Sequence, residues 1–118
     1  MYNHIILMGR ITADPELKLT STEREYVNFS IAVDQYVKDG EDKTDFFRCT
    51  AWGKTAIFIS KYFGKGAMIL IDGDIHNDNY KDGNGVQHYG MQVTVRNASF
   101  TGEKKTADEQ EEPPMPEE

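Results

Sequence analysis

The feature that most constrains this chain is a period-two alternation of apolar and polar residues, repeated in several short stretches. In residues 26–34 every odd position is apolar, whereas the even positions include Asn28, Ser30 and Asp34. The same period recurs in residues 44–52, 67–76 and 86–100, and in the last of these it places Tyr89, Met91, Val93 and Val95 on one face. Successive side chains of a β-strand point to opposite faces, so this period predicts strands with one buried face. We therefore expect a mainly β protein.

The first apolar stretch, residues 2–12, differs because both of its alternating faces are apolar. Ile5 and Leu7 lie on one face, and Ile6 and Met8 lie on the other. This composition predicts a strand that is covered on both sides. Two interpretations stay open: a central strand of a barrel, or a strand whose outer face meets another subunit.

One short helix is expected after the third strand. Gly53 interrupts the strand pattern, and residues 54–63 then carry apolar side chains at helical spacings of three and four, from Ala56, Ile59 and Phe63. The glycine-rich residues 64–66 predict the end of the helix. Turn-forming residues at 38–42 and 82–85 separate the strands on either side.

The predicted order is three strands, one helix and a long hairpin of two strands. Five antiparallel strands with a helix between the third and the fourth is the order of the OB-fold, an all-β, partly open Greek-key barrel that commonly binds oligonucleotides. An unrelated small β-barrel is the alternative. A length of 118 residues suits one domain.

Charge divides the chain into two parts. Residues 1–102 carry 11 basic and 13 acidic residues, a net charge of −2, whereas residues 103–118 carry 2 and 7, a net charge of −5. The second part has no Leu, Ile, Val or aromatic residue, so it cannot bury enough apolar surface to order itself. We expect an OB-fold domain over residues 1–102 and a disordered acidic tail over residues 103–118.

The composition restricts the classes of function. A net charge of −7 argues against a nucleic-acid binder, because Lys and Arg supply much of that affinity, but the nearly neutral body still allows a local basic groove. The single cysteine, Cys49, excludes an internal disulfide and suits a reducing compartment. No apolar run is longer than a strand, so we expect no signal peptide or membrane span and a cytoplasmic protein.

The third strand carries the most informative side chains. Alternation places Phe47, Cys49 and Ala51 on the core face. The opposite face carries two large rings, a guanidinium and a hydroxyl, from Phe46, Arg48, Thr50 and Trp52. Single-stranded nucleic acid presents unpaired bases and a line of phosphates, so its binders combine aromatic rings with cations. The alternative is that Phe46 and Trp52 pack under a loop or against the helix.

Two tyrosines are further candidates for base stacking. Tyr80 lies beside Lys81 in the long hairpin, and Tyr36 lies at the end of the second strand. Each could instead be an ordinary exposed turn tyrosine. No catalytic motif or phosphate-binding loop occurs, and the acidic residues of the fourth strand are spread along it rather than around a point. We therefore expect no enzymatic activity, no cofactor and no metal.

Several blocks of the sequence resemble the bacterial and phage single-stranded-DNA-binding protein family. They are residues 3–12 (NHIILMGRIT), 14–17 (DPEL), 29–33 (FSIAV), 44–54 (TDFFRCTAWGK), 61–66 (KYFGKG) and 71–75 (IDGDI). The resemblance runs from about residue 2 to residue 100. It implies a homotetramer of OB-folds whose first strands pair across subunits, with His4, Ile6 and Met8 at the interface. It also implies sequence-independent binding of single-stranded DNA in replication, recombination and repair.

The resemblance also implies roles for individual residues. Phe46, Trp52 and Tyr80 match the stacking aromatics of the family, and Tyr36 matches them more loosely because its loop differs in length. The basic positions that match are Arg10, Arg48, Lys54 and Lys65, and Lys81 adds a cation beside Tyr80.

Two departures from the family pattern bear on function. Residues 76–79 (HNDN) stand where relatives often carry basic residues, which predicts weaker binding of DNA. The acidic tail is a candidate contact for replication or repair proteins, although it ends in MPEE and lacks the terminal Pro-Phe usual in relatives. The competing function is an OB-fold adaptor of primosome type, which would use the same face to bind another protein.

Overall fold

The computed structural model describes residues 1–35 and 43–102. These residues form five long strands, which match the five expected from the sequence, three strands of two residues each, and one helix. The long strands are β1 (Ile5–Ile11), β3 (Glu25–Gln35), β4 (Lys43–Trp52), β5 (Met68–Asn77) and β8 (Met91–Ser99). The short strands are β2 (Lys18–Leu19), β6 (Tyr80–Lys81) and β7 (Gln87–His88), and the helix is α1 (Gly53–Tyr62).

The five long strands close into a barrel, which confirms the predicted fold class. Their order is β1-β5-β8-β4-β3, and β1 also pairs with β3 to close the ring. The expectation of five antiparallel strands is wrong at one pair, because β4 and β8 run parallel. Strand directions cannot alternate all the way round a closed ring of five strands, so one neighbouring pair must run parallel, and here that pair is β4 and β8.

The barrel interior contains the side chains that the alternation assigned to it. On β3 and β4 the inward residues are Val27, Phe29, Ile31, Cys49 and Ala51, all of them buried. On β8 the predicted inward set is only half correct. Val93 and Val95 are buried, but Tyr89 is 82% exposed and Met91 is 52% exposed. Tyr89 precedes β8, and Met91 pairs with exposed Asn77 on the last rung of the ladder, beyond the core.

The helix covers one end of the barrel, where it packs against β3, β4 and β8. It begins at Gly53, one residue before the expected start, and the left-handed φ of 60° at Gly53 turns the chain from β4 into the helix. Phe58 of the helix and Phe63 just beyond it pack on Phe100, with ring centroids 5.3 and 5.1 Å away. This aromatic cluster attaches the end of β8 to the helix and leaves the outer face of β4 uncovered by it.

Candidate nucleic-acid interface

Phe46 and Arg48 lie on the outer face of β4, as the alternation predicted. Phe46 is 68% exposed, and within residues 1–35 and 43–102 no aromatic ring or cation packs on it. Its cross-strand partner on β3 is Ala32, whose side chain is too small to shield a phenyl ring. Two residues along a strand span about 7 Å, so an open ring and a guanidinium stand next to each other on this face.

Trp52 lies on the same face but is only partly exposed. Its ring lies against that of Tyr26, its cross-strand partner on β3, with ring centroids 5.3 Å apart and ring planes 35° apart. The guanidinium carbon of Arg24 lies 4.5 Å from the centroid of the Trp52 ring. The predicted outward direction is therefore confirmed, but neighbouring side chains cover part of the ring.

Between Phe46 and Trp52, the side chains of Thr50, Asn28 and Gln92 are hydrogen-bonded to one another. The Thr50 hydroxyl donates to Asn28 Oδ1 over 2.7 Å, and Gln92 Nε2 donates to the Thr50 oxygen. These contacts explain why Thr50, predicted to face outward, is only 7% exposed. A groove of about 430 Å³ opens on this side of the barrel, and its polar lining comes from Thr12, Asn28, Ser30, Arg48, Asp78 and Gln92.

Arg48 forms an ion pair at the edge of this groove. Its Nη2 lies 2.8 Å from Oδ2 of Asp78, and both side chains remain partly exposed. The guanidinium also lies close to Gly90, where an added Cβ would sit 2.8 Å from Arg48 Nη2. The cation on the outer face of β4 is thus already bound to a carboxylate of the same chain.

Residues 78–90 extend from the barrel as an arm that contains the β6–β7 hairpin. Its turn is the one predicted at residues 82–85. The Asp82 carboxylate bonds to His88 Nε2 over 2.9 Å and accepts from the backbone N–H groups of Val86 and Asn84 over 3.0 and 2.9 Å. These hydrogen bonds, that of His88 first, hold the pKa of Asp82 below its ordinary 3.8. The carboxylate therefore organises the tip of the arm.

The arm carries the candidate stacking residue Tyr80. Its ring stacks on that of His88, with centroids 4.8 Å apart and planes 12° apart, and it remains 52% exposed. Lys81 follows it and is exposed. Tyr80 therefore offers one ring face beside a cation, at a position separate from the β4 face.

Two of the predicted basic residues come together at the loop between α1 and β5. Arg10 Nη1 donates to the carbonyl oxygen of Gly66 over 2.9 Å. The backbone N–H of Lys65 donates to Asp14 Oδ1 over 2.7 Å, and the Lys65 side chain is exposed. The sequence block that contains Asp14 and the block that contains Lys65 thus meet at one end of the barrel.

Arg10 and the β4 face belong to the same side of the sheet. Arg10 pairs with Ala32 on β3, and Ala32 pairs with Phe46 on β4. Two strand spacings separate the Cα atoms of Arg10 and Phe46 by about 10 Å. Lys54 is exposed in the first turn of α1, two residues after Trp52. Tyr36, the remaining candidate, lies outside the described residues.

The outer face of β1 is apolar and exposed. Ile6 is 62% exposed and Met8 is 54% exposed, while His4 lies just before the strand and is also exposed. Met8 pairs with Leu70 of β5, which is half-buried. The three predicted interface residues are therefore next to one another on one surface.

Sequence reasoning missed Arg24 and Tyr26, which cover Trp52, and Asp78, which binds Arg48. Tyr26 lies two and four residues before the polar residues Asn28 and Ser30, so the alternation predicts that it points outward as they do. Its contact with Trp52 depends on the register between β3 and β4, and period two does not fix register. The sequence pattern places Asp78 among the acidic residues of the fourth strand and in the departure from the family pattern at residues 76–79, but it does not indicate the contact with Arg48.

The remaining candidate groups have structural partners. Asp74 accepts from Arg96 Nε and Nη2 over 2.7 and 3.2 Å and also contacts His76, and these contacts, that of Arg96 first, lower the pKa of Asp74. Burial raises the pKa of the Cys49 thiol to about 12. Residues 1–35 and 43–102 contain no cluster of three or more side chains that could hold a metal ion. Within the same residues, no helix is long and apolar enough to cross a membrane.

The structure is an OB-type barrel with one helix. The outer face of β4 carries the aromatic rings of Phe46 and Trp52 and the guanidinium of Arg48. The family model described as "Single-strand binding protein family" matches residues 2–101. The chain belongs to the single-strand binding protein family.

Curated relatives agree with this assignment. A single-stranded DNA-binding protein of Fusobacterium nucleatum is 40% identical over 110 residues, which cover 89% of this chain and 70% of the relative. Single-stranded DNA-binding protein 1 of Clostridium acetobutylicum is 35% identical over 108 residues, 89% of this chain and 98% of the relative. A Lactiplantibacillus plantarum single-stranded DNA-binding protein is 38% identical over 102 residues, but these cover only 51% of that relative.

Proposed function

We propose that this protein binds single-stranded DNA without sequence preference and acts without catalysis in replication, recombination and repair. The observation that carries the proposal is the exposed ring of Phe46 beside Arg48 on the outer face of β4, in a chain of the single-strand binding protein family. Every base has a flat face, so stacking on an aromatic ring tolerates any sequence.

The proposed path of the DNA runs across the polar groove. Bases stack on Phe46 and, to a smaller extent, on Trp52 and Tyr80, with Tyr36 as a fourth candidate. Phosphates are contacted by the basic residues around these rings, which are Arg10, Arg48, Lys54, Lys65 and Lys81. The polar lining, which includes Asn28 and Gln92, supplies hydrogen bonds that do not require one particular base.

Titration of a labelled oligo(dT) at low and high salt tests the proposal. We expect binding that weakens as salt rises, because phosphate contacts release counterions. A duplex of the same length is the control and should bind much more weakly. Trp52 is the only tryptophan, so its fluorescence should also be quenched by the oligonucleotide. Failure to bind any single strand at low salt would refute the function and favour the protein-binding adaptor.

We further propose a homotetramer in which the outer face of β1 is an interface between subunits. Ile6 and Met8 are more than half exposed in the single chain, and exposed apolar strips of this kind mark association surfaces. Sedimentation at micromolar concentration tests this proposal. The variant Met8→Lys should shift the mass towards smaller species, and a wild-type protein that sediments as a monomer would contradict it.

A further inference from the structure

The cation at the centre of the proposed DNA-binding face is already paired with a carboxylate of the same chain. Arg48 Nη2 lies 2.8 Å from Asp78 Oδ2, and both side chains line the same groove. The exposed fractions of the two side chains are 54% and 40%, so water and a phosphate can reach the pair. An incoming phosphate therefore meets a carboxylate next to the guanidinium.

The backbone holds Asp78 in this place. The Asp78 N–H donates to the carbonyl oxygen of Gly90 over 2.9 Å, and the Gly90 N–H donates to the Asn79 side chain over 3.1 Å. These two bonds join the ends of the arm where it leaves the barrel. The guanidinium of Arg48 lies against Gly90, where no side chain stands in its way. These hydrogen bonds at the two ends of the arm therefore fix the position of the Asp78 carboxylate at the groove.

We propose that Asp78 competes with DNA phosphate for Arg48 and thereby sets the affinity of the protein for single strands. An exposed ion pair contributes little to stability, so a phosphate can exchange with the carboxylate. The negative charge of Asp78 nevertheless stays beside the bound phosphate and opposes it. The inference rests on the proposed function and goes beyond it, because it assigns to Asp78 the regulation of affinity at that site.

Competition between Asp78 and DNA phosphate should change how steeply the binding constant for DNA falls with salt. A cation that neutralises one phosphate of a single strand contributes about 0.7 to the slope of log K against log salt. Arg48 contributes less than this amount while Asp78 neutralises it. Removing the carboxylate should therefore tighten binding and also steepen the salt dependence, whereas a purely structural role of Asp78 would leave the slope unchanged.

The experiment compares full-length wild type with Asp78→Asn and Asp72→Asn on labelled oligo(dT) over a range of salt concentrations. Asp72→Asn is the matched control, because it removes the same charge from β5 at a residue that does not line the groove and that accepts a long 3.4 Å bond from Asn97. Asp72 pairs with Ile6 on β1, so sedimentation of every variant is measured alongside to confirm that the assembly state is unchanged. We expect Asp78→Asn to bind about 3–10-fold more tightly at low salt, with a slope steeper by up to about 0.7, and Asp72→Asn to change affinity less than about twofold.

The possible outcomes separate the inference from the function. Wild type that does not bind oligo(dT) overturns both. Wild type that binds, with Asp78→Asn equal to it or weaker, overturns the competition and leaves the function standing. An equal gain in Asp72→Asn assigns the effect to net charge and also overturns the competition.

A second pair of variants tests whether the effect acts through Arg48. In an Arg48→Gln background the gain from Asp78→Asn should disappear, and a gain that persists would contradict competition for Arg48. Thermal unfolding of every variant is measured alongside, and Asp78→Ser provides a second way to remove the charge. If both Asp78 variants fail to fold, the carboxylate is structural and the proposal is wrong.

Discussion

The two ends of the outer face of β4 carry aromatic rings of similar size in very different surroundings. At one end Phe46 is 68% exposed, whereas six residues later Trp52 is partly covered by Tyr26 and Arg24. Phe46 and Trp52 are an even number of residues apart on β4 and therefore lie on the same face. The difference in exposure thus does not come from β4 itself. It comes from the neighbouring strand, where Ala32 faces Phe46 and Tyr26 faces Trp52.

This comparison distinguishes direction from accessibility. Period two determines which face a side chain occupies, but the residue opposite on the next strand determines how much of the ring remains open. A ring opposite a small side chain stays available for a base, whereas a ring opposite an aromatic side chain is partly covered by packing. We therefore expect Phe46 to contribute mainly to binding, and Trp52 to contribute to both binding and stability.

The largest effect is expected for Phe46→Ala. Loss of a stacked base should weaken oligo(dT) binding by about 1–3 kcal/mol. The midpoint of thermal unfolding should stay close to wild type, because most of the ring is already in water. Binding isotherms and thermal unfolding of the same preparation measure the two effects. Phe46→Trp is the control and should restore binding, and a Phe46→Ala protein that folds and binds like wild type would remove Phe46 from the site.

A smaller loss of binding is expected for Trp52→Ala. Alternation alone predicts a binding loss of about 1–3 kcal/mol with unchanged stability. The contacts with Tyr26 and Arg24 change that expectation to about 1 kcal/mol of binding, together with at least about 1 kcal/mol of unfolding free energy from the lost ring pair and burial. Isotherms and denaturant unfolding separate the two losses. Equal stability of Trp52→Ala and Phe46→Ala would contradict the distinction between the two ends.

The residues that cover Trp52 provide a weaker test. Arg24→Gln removes a cation from above the indole and should cost about 0.5–1 kcal/mol of stability at such an exposed site. Quenching of the single tryptophan by acrylamide should increase, because more of the ring meets solvent. Lys43→Gln is the control, since it removes an exposed basic residue at the opposite end of β4 from Trp52. Unchanged quenching in Arg24→Gln would mean that the guanidinium does not shield the ring.

The sequence was sufficient to predict the parts of the fold that depend on local pattern. The inward residues of β3 and β4, the helix after Gly53 and the hairpin turn at Asp82 all follow from spacing and turn chemistry. Parallel pairing of β4 with β8 did not follow, because it joins strands separated by the helix and three other strands.

The same division applies to the candidate site. Alternation identified Phe46 and Arg48, but not the partners of Arg48 and Trp52, because both partners come from other strands or loops. Asp78 is far from Arg48 in the sequence and reaches it only where the arm leaves the barrel. Such contacts depend on register and on loop geometry. Alternation excludes a register shift of one residue but not of two, and it does not specify the loop geometry.

Cys49 provides the smallest and most local test, because it lies on the inward face of β4 between Phe46 and Trp52. It is 1% exposed and pairs with Phe29 and Val93, and burial raises the pKa of its thiol to about 12. The reactive species is the thiolate, so at pH 8 a thiol reagent should modify Cys49 only when the barrel wall opens. Phe46→Ala removes little packing between β3 and β4, because Phe46 is 68% exposed, and it should leave this rate near that of wild type. Trp52→Ala removes the contact with Tyr26 and should raise the rate by at least about fivefold, because a loss of about 1 kcal/mol changes an opening equilibrium by about fivefold. Denatured protein gives the rate of the unprotected thiol in each variant. Rapid modification of the folded wild type would contradict the burial of Cys49, and equal acceleration by the two substitutions would show that the two ends of β4 support the barrel to the same extent.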